Sequence, residues 1–544
     1  MSYVANKTQQ VGLNDRFNNL TDKEKKAVLG SWAKPFADII FPSIREDRFA
    51  VLYSSNTATR PNTPINIVVG SMIIKEVVGL TDDEVLEGLC CDARMQYALH
   101  TTSCVEQPMS DRTLSRFRQR LYEYELETGI DLVKEELLYQ ADNIAKFMDL
   151  QPYRKRMDSL MIASACKDMT RLEVIYVTVA NLVKAVHRSG GDELLQGMEH
   201  YLNADDQNRV IYHNQAEDRK AKTQAMVEDC AVMLERLGES GTDLPEYALA
   251  VRMLDDQSII GAEGKRIAKN SHDIEPDSLQ NPSDPDATYR KKAGEGYIGY
   301  VANVVQTYDN KGAAVITDYS FQQNSHSDIE FGKEAIENIG ETVKEGDAKK
   351  IELIADGGFA SEGNSQLAKE NEIIFVTTSL TGTKPPEIFA DFVINNEEHK
   401  VEQCPAGNEP QIQGRNQSTD TYSVVMGKEQ CANCPHRMEC NARITKNSAV
   451  VCVSAKKVER AKTVKEISSE VYAEYRNSRN AVEGVPSVLR RRYDVDDMPI
   501  FGILKSKLRF GFKIAAINFQ NLFKFTRGKS ALFQDQLIPR EQCA

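Results

Sequence analysis

Two short apolar stretches of the chain each carry one aspartate in or at the end of a predicted strand. Asp158 lies within residues 155–162, and Asp356 comes before two glycines in residues 351–359. An ionised carboxylate in a buried strand is costly unless it is paired or binds a cation. The order of strand, acid, helix and strand over residues 351–377 predicts a layered α/β core. Taken singly, each aspartate is also explained as a turn or cap residue.

Length and composition exclude several classes of protein. At roughly 150 residues per domain, 544 residues predict three or four structural units. The chain is 41% hydrophobic and 27% charged, values that exclude global disorder. No stretch reaches the ~18 apolar residues of a membrane span, and the first ten residues lack the apolar core of a secretion signal, so we expect a cytoplasmic protein without a membrane partner. The net charge of -13 means that any DNA-binding face must be local.

A basic helix is predicted within the helical N-terminal part of the chain. Over residues 109–121, Leu114, Phe117 and Leu121 fall on one helical face. Three arginines four positions apart fall on another face and are candidate DNA-binding residues: Arg112, Arg116 and Arg120. Such a helix lies against DNA in the manner of a helix-turn-helix recognition helix. A solvated charged face explains the same spacing, and both interpretations stay open here.

Strand-forming residues become frequent only in the second half of the chain. Residues 171–237 have helical periodicity. Residues 299–306 and 313–321 are rich in Val, Ile, Tyr and Thr and flank an Asp-Asn-Lys-Gly turn, which predicts an antiparallel hairpin. We therefore predict a helical N-terminal DNA-binding domain over residues 1–145, an α/β catalytic domain over 150–530, and insertions in the latter at about 170–275 (helical) and about 382–457 (Cys-rich).

Glu483 is a third candidate acid, because it lies four residues after Arg479 and seven before Arg490. On a continuous helix these three side chains point roughly the same way. An ordinary surface ion pair between Arg479 and Glu483 is the simpler explanation of the spacing. Gly484 and Pro486 should bend the helix at this point.

Four sequence blocks resemble those of bacterial insertion-sequence transposases of the DDE type. They are M-D-S-x-M-I around Asp158, G-Y-V-A-N-V-V-Q-T-Y-D in the hairpin, A-D-G-G-F-A-S-E-G-N around Asp356, and R-N-x-R-N-A-V-E-G ending at Glu483. The resemblance implies a ribonuclease-H-like catalytic core with a helical N-terminal domain, and it extends to residues 61–125. It also implies that Asp158, Asp356 and Glu483 are the catalytic, metal-binding triad.

The resemblance further implies the reaction and its cofactors. These enzymes cleave the ends of their element and join them to target DNA, and two Mg²⁺ or Mn²⁺ ions suit such a displacement at phosphorus. The expected partners are the terminal inverted repeats, target DNA and a second copy of the chain in a nucleoid-associated synaptic complex. Arg476, Arg479 and Arg490 are further candidate DNA-binding residues. A degenerate, noncatalytic DNA-binding protein and a ribonuclease-H-like nuclease are the alternatives.

The chain departs from the family's pattern in three places. Arg476 stands where a tyrosine is expected, Arg490 replaces a lysine, and Asn303 stands where relatives often carry histidine. The two arginines keep donors that suit phosphate. The missing tyrosine weakens the expectation that this helix handles the transposon end as in other members.

Four cysteines form a candidate zinc site. Cys431, Cys434 and Cys440 have the spacing C-x2-C-x5-C, and Cys404 lies 27 residues upstream of the first of them. Such a knuckle with Pro and Gly nearby suits structural Zn²⁺, with His436 able to replace one ligand. The spacing is not that of a standard zinc finger, so inert thiols remain the alternative.

The C-terminal segment is basic in an otherwise acidic chain. Residues 475–529 contain twelve Lys and Arg against four Asp and Glu. Phenylalanines alternate with these cations and are predicted either to pack inside the protein or to stack on unpaired bases.

Overall fold

The computed structural model describes residues 1–6, 15–56, 58–212, 215–262, 264–292, 294–342, 349–379, 382–395 and 397–528. Lys529, the last cation of the basic segment, lies outside the described residues. The chain divides into two compact units. The first contains residues 1–151, 159–327 and 485–544, and the second contains residues 152–158 and 328–484.

The first unit begins with a group of helices. They are α1 (Asp22–Leu29), α2 (Ala33–Pro35), α3 (Phe41–Ser43), α4 (Ile65–Val78), α5 (Asp82–Cys91), α6 (Ala93–Ala98), α7 (Thr113–Thr128) and α8 (Leu132–Phe147). Thr21 and Thr81 start α1 and α5 with capping boxes, which satisfy the free N–H groups of the first turn. The predicted basic helix is confirmed as α7, because Leu114, Phe117 and Leu121 are all buried.

A second group of helices follows in the same unit. It comprises α9 (Arg171–Arg188), α10 (Asp206–Ile211), α11 (Ala216–Leu237) and α12 (Pro245–Gln257), with a small hairpin of β2 (Ser258–Ile260) and β3 (Arg266–Ala268). The numbering of strands starts with β1 (Arg154–Ala163), which begins in the second unit and ends in the first. Apolar side chains of α9, α11 and α12 share one buried core that includes Val183, Cys230 and Met253. The helical periodicity predicted for residues 171–237 is confirmed by α9–α11.

The first unit ends in an antiparallel ribbon and a long helix. The ribbon contains β4 (Thr288–Lys292), β5 (Glu295–Tyr308) and β6 (Ala314–Gln323), so the predicted hairpin is confirmed. The long helix is α19 (Ile503–Gly528), and its Asn518 amide bonds both the N–H and the carbonyl of Ile316, each at 2.8 Å. Phe510, Phe512 and Phe519 are buried, which excludes them from base stacking and confirms their packing role.

The second unit contains two parallel strand pairs. Residues 154–156 of β1 pair with β7 (Glu352–Ala355), and β7 pairs with β8 (Ile374–Thr377). Helix α13 (Asp328–Gly340) precedes β7, and α14 (Glu362–Glu370) connects β7 to β8. Ser361 caps α14 by accepting a hydrogen bond from Asn364 N at 3.0 Å. The predicted succession of strand, acid, helix and strand is therefore confirmed.

The Cys-rich region, predicted only as turn-rich, contains a small β-structure. Its elements are β9 (Val393–Asn395), β10 (Lys400–Gln403), β11 (Ile412–Asn416), β12 (Thr421–Gly427), α15 (Lys428–Ala432), β13 (Arg443–Ile444) and β14 (Ser448–Ser454). Strands β11, β12, β14 and β13 form a four-stranded antiparallel sheet in that order. Helices α16 (Ala455–Ser468), α17 (Val471–Val482) and α18 (Gly484–Tyr493) follow. None of the described helices is long and apolar enough to span a membrane.

Candidate functional site

Helix α17 is fixed against the strands of the second unit by polar contacts. Arg156 Nη1 donates to the Ser478 carbonyl at 2.9 Å, and Arg154 Nη1 contacts Glu474 Oε1 at 3.0 Å. The Tyr475 hydroxyl reaches Glu352 on β7 at 3.4 Å. These contacts place the last turn of α17 beside the aspartates of β1 and β7, although the three segments are far apart in sequence.

Asp356 is held at the end of β7 by a tight turn. Its Oδ1 accepts a hydrogen bond from Gly358 N at 2.5 Å, and Gly357 N donates to Ser379 Oγ at 3.0 Å. A Cβ on Gly357 would lie 2.4 Å from the Ser379 carbonyl oxygen, so only glycine allows this close approach. The two glycines therefore fix where the carboxylate points.

The three predicted acids converge on the guanidinium of Arg479. Nη2 of Arg479 lies 3.5 Å from Asp158 Oδ1 and 3.6 Å from Asp356 Oδ2, and Nη1 forms an ion pair with Glu483 Oε1. The Arg479 side chain is 15% exposed, against 13% for Asp158, 38% for Asp356 and 53% for Glu483. The surface ion pair that the spacing suggested is present, but its arginine also bridges two aspartates.

The site carries more negative charge than its arginine balances. Three carboxylates face one guanidinium, whose Nε is buried with no hydrogen-bond partner among the described residues. Carboxylate oxygens are the ligands that Mg²⁺ and Mn²⁺ prefer, so the donor set fits a divalent cation. Across the described residues, however, no three His, Cys, Asp or Glu side chains have the spacing of a metal site. In this structure the arginine is the cation that the acids share.

A fourth carboxylate near the site was missed by the sequence analysis. A Cβ placed on Gly358 would lie 2.9 Å from Asp356 Oδ1 and 3.1 Å from Asp328 Oδ2, so the two aspartates flank this glycine. Asp328 is the first residue of α13. An acid in the first turn of a helix is common, which is why its sequence position did not single it out.

The predicted DNA-binding arginines have different surroundings. Arg476 Nη1 donates to the Ile467 carbonyl in the second unit, and Arg490 contacts Asp496 at 3.0 Å and the Met161 carbonyl at 2.8 Å in the first unit. Helix α17 ends at Val482, as Gly484 and Pro486 predict, so Arg479 and Arg490 do not share one continuous helix.

On α7, two of the three predicted arginines are exposed. They are Arg112, which precedes the helix as its N-cap, and Arg116. Arg120 lies over the Tyr53 ring, with its guanidinium carbon 4.7 Å from the ring centroid, and is half-buried. Arg112 and Arg116 are therefore more accessible on this face than Arg120.

The four predicted zinc ligands line one small cavity. Cys404, Cys431, Cys434 and Cys440, together with His436, surround a space of about 30 Å³. Tight turns place them, since Gly407 N donates to the Cys404 carbonyl at 2.8 Å and Cys434 N donates to the Cys431 carbonyl at 3.3 Å. Burial, with repulsion from the other three thiols, raises the pKa of Cys440 to about 11. The thiols converge, although they too lack the spacing of bound ligands in this structure.

Two family models match the chain, one near its N-terminal end and one in its C-terminal half. Residues 403–523 match a model described as a transposase DDE domain, and residues 29–120 match one described as a transposase domain (DUF772). Both models describe transposase domains and together cover less than half of the chain, so over these residues the chain is similar to insertion-sequence DDE transposases. The first match contains Glu483 and the four clustered cysteines, and the second contains Arg112, Arg116 and Arg120. No curated protein and no solved structure matches the chain.

Proposed function

We propose that this transposase cleaves the ends of its insertion-sequence element and joins them to target DNA in a reaction that depends on divalent metal ions. The observation that carries the proposal is the convergence of Asp158, Asp356 and Glu483 on one cation. Three carboxylates gathered around one guanidinium repel one another, which is unfavourable in a purely structural role. The transposase DDE match over residues 403–523 supports the same reaction class.

The metal ions, two Mg²⁺ or Mn²⁺, would be held by Asp158, Asp356 and Glu483, and when bound they supply an activated attacking oxygen and stabilise the leaving oxygen. Arg479 then exchanges its carboxylate contacts for a phosphate oxygen of the DNA, a partner that guanidinium groups bind well. Gly357 and Gly358 hold Asp356 in position, and Arg156 holds the helix that carries Arg479.

A ribonuclease-H-like catalytic domain over residues 150–530 is part of the proposal. The parallel pairing of residues 154–156 with β7 and of β7 with β8, and the antiparallel pairing of β5 with β6, support it. Residues about 170–275 and about 382–457 are insertions in that domain. Residues 1–145 bind DNA through the exposed arginines of α7, and Arg476 and Arg490 add phosphate contacts. The active form is a nucleoid-associated homodimer that holds two element ends.

The experiment uses purified full-length protein and DNA that carries the sequences flanking the reading frame. With Mg²⁺ we expect cleavage at the element ends followed by joined products, and with EDTA we expect neither. Cleavage without joining would identify a nuclease instead. Intact DNA that is nevertheless bound in a gel-shift assay would identify the degenerate, noncatalytic DNA-binding protein.

A structural Zn²⁺ held by Cys404, Cys431, Cys434 and Cys440 is the second cofactor of the proposal. A cavity of about 30 Å³ lined by four thiols suits one ion of a kind that prefers thiolate ligands. The region has a modest core, and a bound metal would stabilise it. We expect one zinc per chain by metal analysis and its loss in Cys434→Ser. The control Cys452→Ser changes an exposed thiol of β14 and should keep the metal.

A further inference from the structure

A large cleft lined by several cations opens in the helical part of the first unit. It has a volume of about 1230 Å³. Its walls come from three parts of the sequence: residues 167–173 at the start of α9, residues 211–212 and 215–224 at the end of α10 and in α11, and residues 268–271 at and after the end of β3. The charged side chains among its described lining residues are Lys167, Arg171, Glu173, Arg219, Lys220 and Lys269.

The lining of this cleft is positive. The carboxylate among these residues, Glu173, is 7% exposed and already has two partners. It accepts hydrogen bonds from Thr170 N at 2.7 Å and from Lys167 Nζ at 3.1 Å. Five cations against one carboxylate therefore leave a surplus of positive charge in the lining of the cleft, in a chain whose net charge is -13.

The walls of the cleft are fixed by contacts that do not involve a ligand. Arg171 Nε donates to Gln257 Oε1 at 2.7 Å, which ties α9 to α12. Gln224 on α11 donates to the Arg266 carbonyl at 2.9 Å and accepts from Ala268 N at 2.8 Å, which ties α11 to β3. A site that is already formed loses little conformational entropy when it binds.

Three of the five cations are exposed to a ligand, whereas Lys269 Nζ donates to the Asp255 carbonyl at 2.9 Å. Arg219 and Lys220 are exposed, and no carboxylate of the described residues forms an ion pair with either of them. The Lys167 side chain is 68% exposed despite its contact with Glu173. Tyr212, which is 53% exposed, adds a hydroxyl donor at the rim.

We propose that this cleft binds the sugar–phosphate backbone of DNA, so that the helical insertion adds a sequence-independent contact surface to the transposase. Arg, Lys, Tyr and amide side chains are the donors that contact phosphate oxygens in protein–DNA complexes. Sites for small molecules usually measure about 300–1,000 Å³ and contain few polar groups, whereas this cleft is larger and has five cationic side chains in its lining. The inference rests on the proposed function in one respect, namely that the polyanion bound by the cleft is DNA.

The test measures binding of full-length protein to a fluorescent DNA duplex of arbitrary sequence by anisotropy over a series of salt concentrations. The variant Arg219→Gln with Lys220→Gln removes two exposed cations from the cleft. We expect affinity to fall about tenfold and the slope of log K against log salt to become shallower by about 2, since each lost phosphate contact contributes about 0.9. A charge-preserving exchange, Arg219→Lys with Lys220→Arg, should bind as the wild type does.

The matched control is Lys184→Gln with Arg188→Gln, which removes two exposed cations of α9 that do not line the cleft. It should change the slope by much less, and melting curves of both variants exclude unfolding. Equal losses in the control and the cleft variant would overturn the inference while leaving the proposed function intact. A cleft variant that loses binding to polyglutamate but not to DNA would assign the cleft to an acidic protein and overturn it as well. Wild-type protein that binds no DNA at all would count against the proposed function itself.

Discussion

Two ion clusters of the molecule have opposite compositions. On the N-terminal helices of the first unit, one carboxylate, Asp82, contacts two cations, Lys75 of α4 and Arg118 of α7. In the second unit, one cation, Arg479, contacts three carboxylates. The first cluster has two cations against one acid, and the second has three acids against one cation.

The difference separates an interaction that holds helices together from one that is suited to binding. Hydrogen bonds from Arg118 and Lys75 outweigh burial and lower the pKa of Asp82 to about 2, so this carboxylate is fully ionised and satisfied. Three acids contact the single cation Arg479, and one more cation would lower their mutual repulsion. The same residue types therefore hold helices together in one place and leave an excess of acids in the other, according to which charge is in excess.

The largest predicted effect is the loss of DNA cleavage when one of the three acids around Arg479 is replaced. Asp158→Asn, Asp356→Asn and Glu483→Gln should each reduce Mg²⁺-dependent cleavage by at least about 1000-fold, because each removes charge that would hold the metal ions. Binding to duplex DNA should stay within about threefold of the wild type. Retained cleavage in any one of these variants would remove that residue from the triad.

A smaller effect is expected when the single cation of that cluster is removed. Arg479→Gln should tighten Mn²⁺ binding about tenfold, or roughly 1.4 kcal/mol, because the three acids lose their internal counter-ion. Calorimetric titration of Mn²⁺ measures this change. The control Arg476→Gln alters an arginine bonded to the Ile467 carbonyl and should leave Mn²⁺ affinity unchanged. Weaker Mn²⁺ binding in Arg479→Gln would mean that the acids do not form a cation site.

A substitution in the cluster of Lys75, Asp82 and Arg118 should change the free energy of unfolding and leave metal binding unchanged. Asp82→Asn should lower the free energy of unfolding by about 2 kcal/mol, the scale of hydrogen bonds to charged groups, without changing Mn²⁺ affinity. Urea denaturation measures the change. Asp83→Asn, an exposed neighbour on the same helix turn, is the control and should stay within about 0.5 kcal/mol.

The smallest predicted effect is the pH dependence of the difference in stability between the wild type and Asp82→Asn. Because the pKa of Asp82 falls from its ordinary value of 3.8 to about 2 on folding, its stabilisation is complete above about pH 4 and is lost as the pH falls through 2. The gap in unfolding midpoint between wild type and Asp82→Asn should therefore be constant between pH 5 and 7, on the order of the full effect, and shrink toward pH 2. A gap that grows on acidification would show that the carboxylate is not held by its cations.

The sequence analysis named the three acids that meet in the structure, but it did not predict that they meet at Arg479. Apolar periodicity located β1, β7 and the buried face of α7, because those signals are local. The bridging role of Arg479 was not predictable, since it depends on Arg154 and Arg156 holding α17 to β1 across more than 300 residues. The cleft cations Lys167, Arg219 and Lys269 likewise meet only through the tertiary fold.

The Cys-rich region was the least predictable part of the fold. Its strands are two to seven residues long, as in Arg443–Ile444 and Thr421–Gly427, too short for alternation to stand out from turns. Spacing alone grouped Cys431, Cys434 and Cys440, which are close in sequence, with Cys404, which lies 27 residues upstream. Spacing did not predict the sheet or the small core against which Cys404, Cys431 and Cys440 pack.

Under the proposed function, the narrow gap between Gly357 and the Ser379 carbonyl has a consequence for how inactive copies of the element would arise. Any side chain at position 357 would have to displace the backbone of residue 379, and the carboxylate one residue earlier would move with it. A single-nucleotide change from glycine to alanine could thus silence the element while every acidic residue is still encoded. Intact acids alone therefore do not identify a copy that can still move.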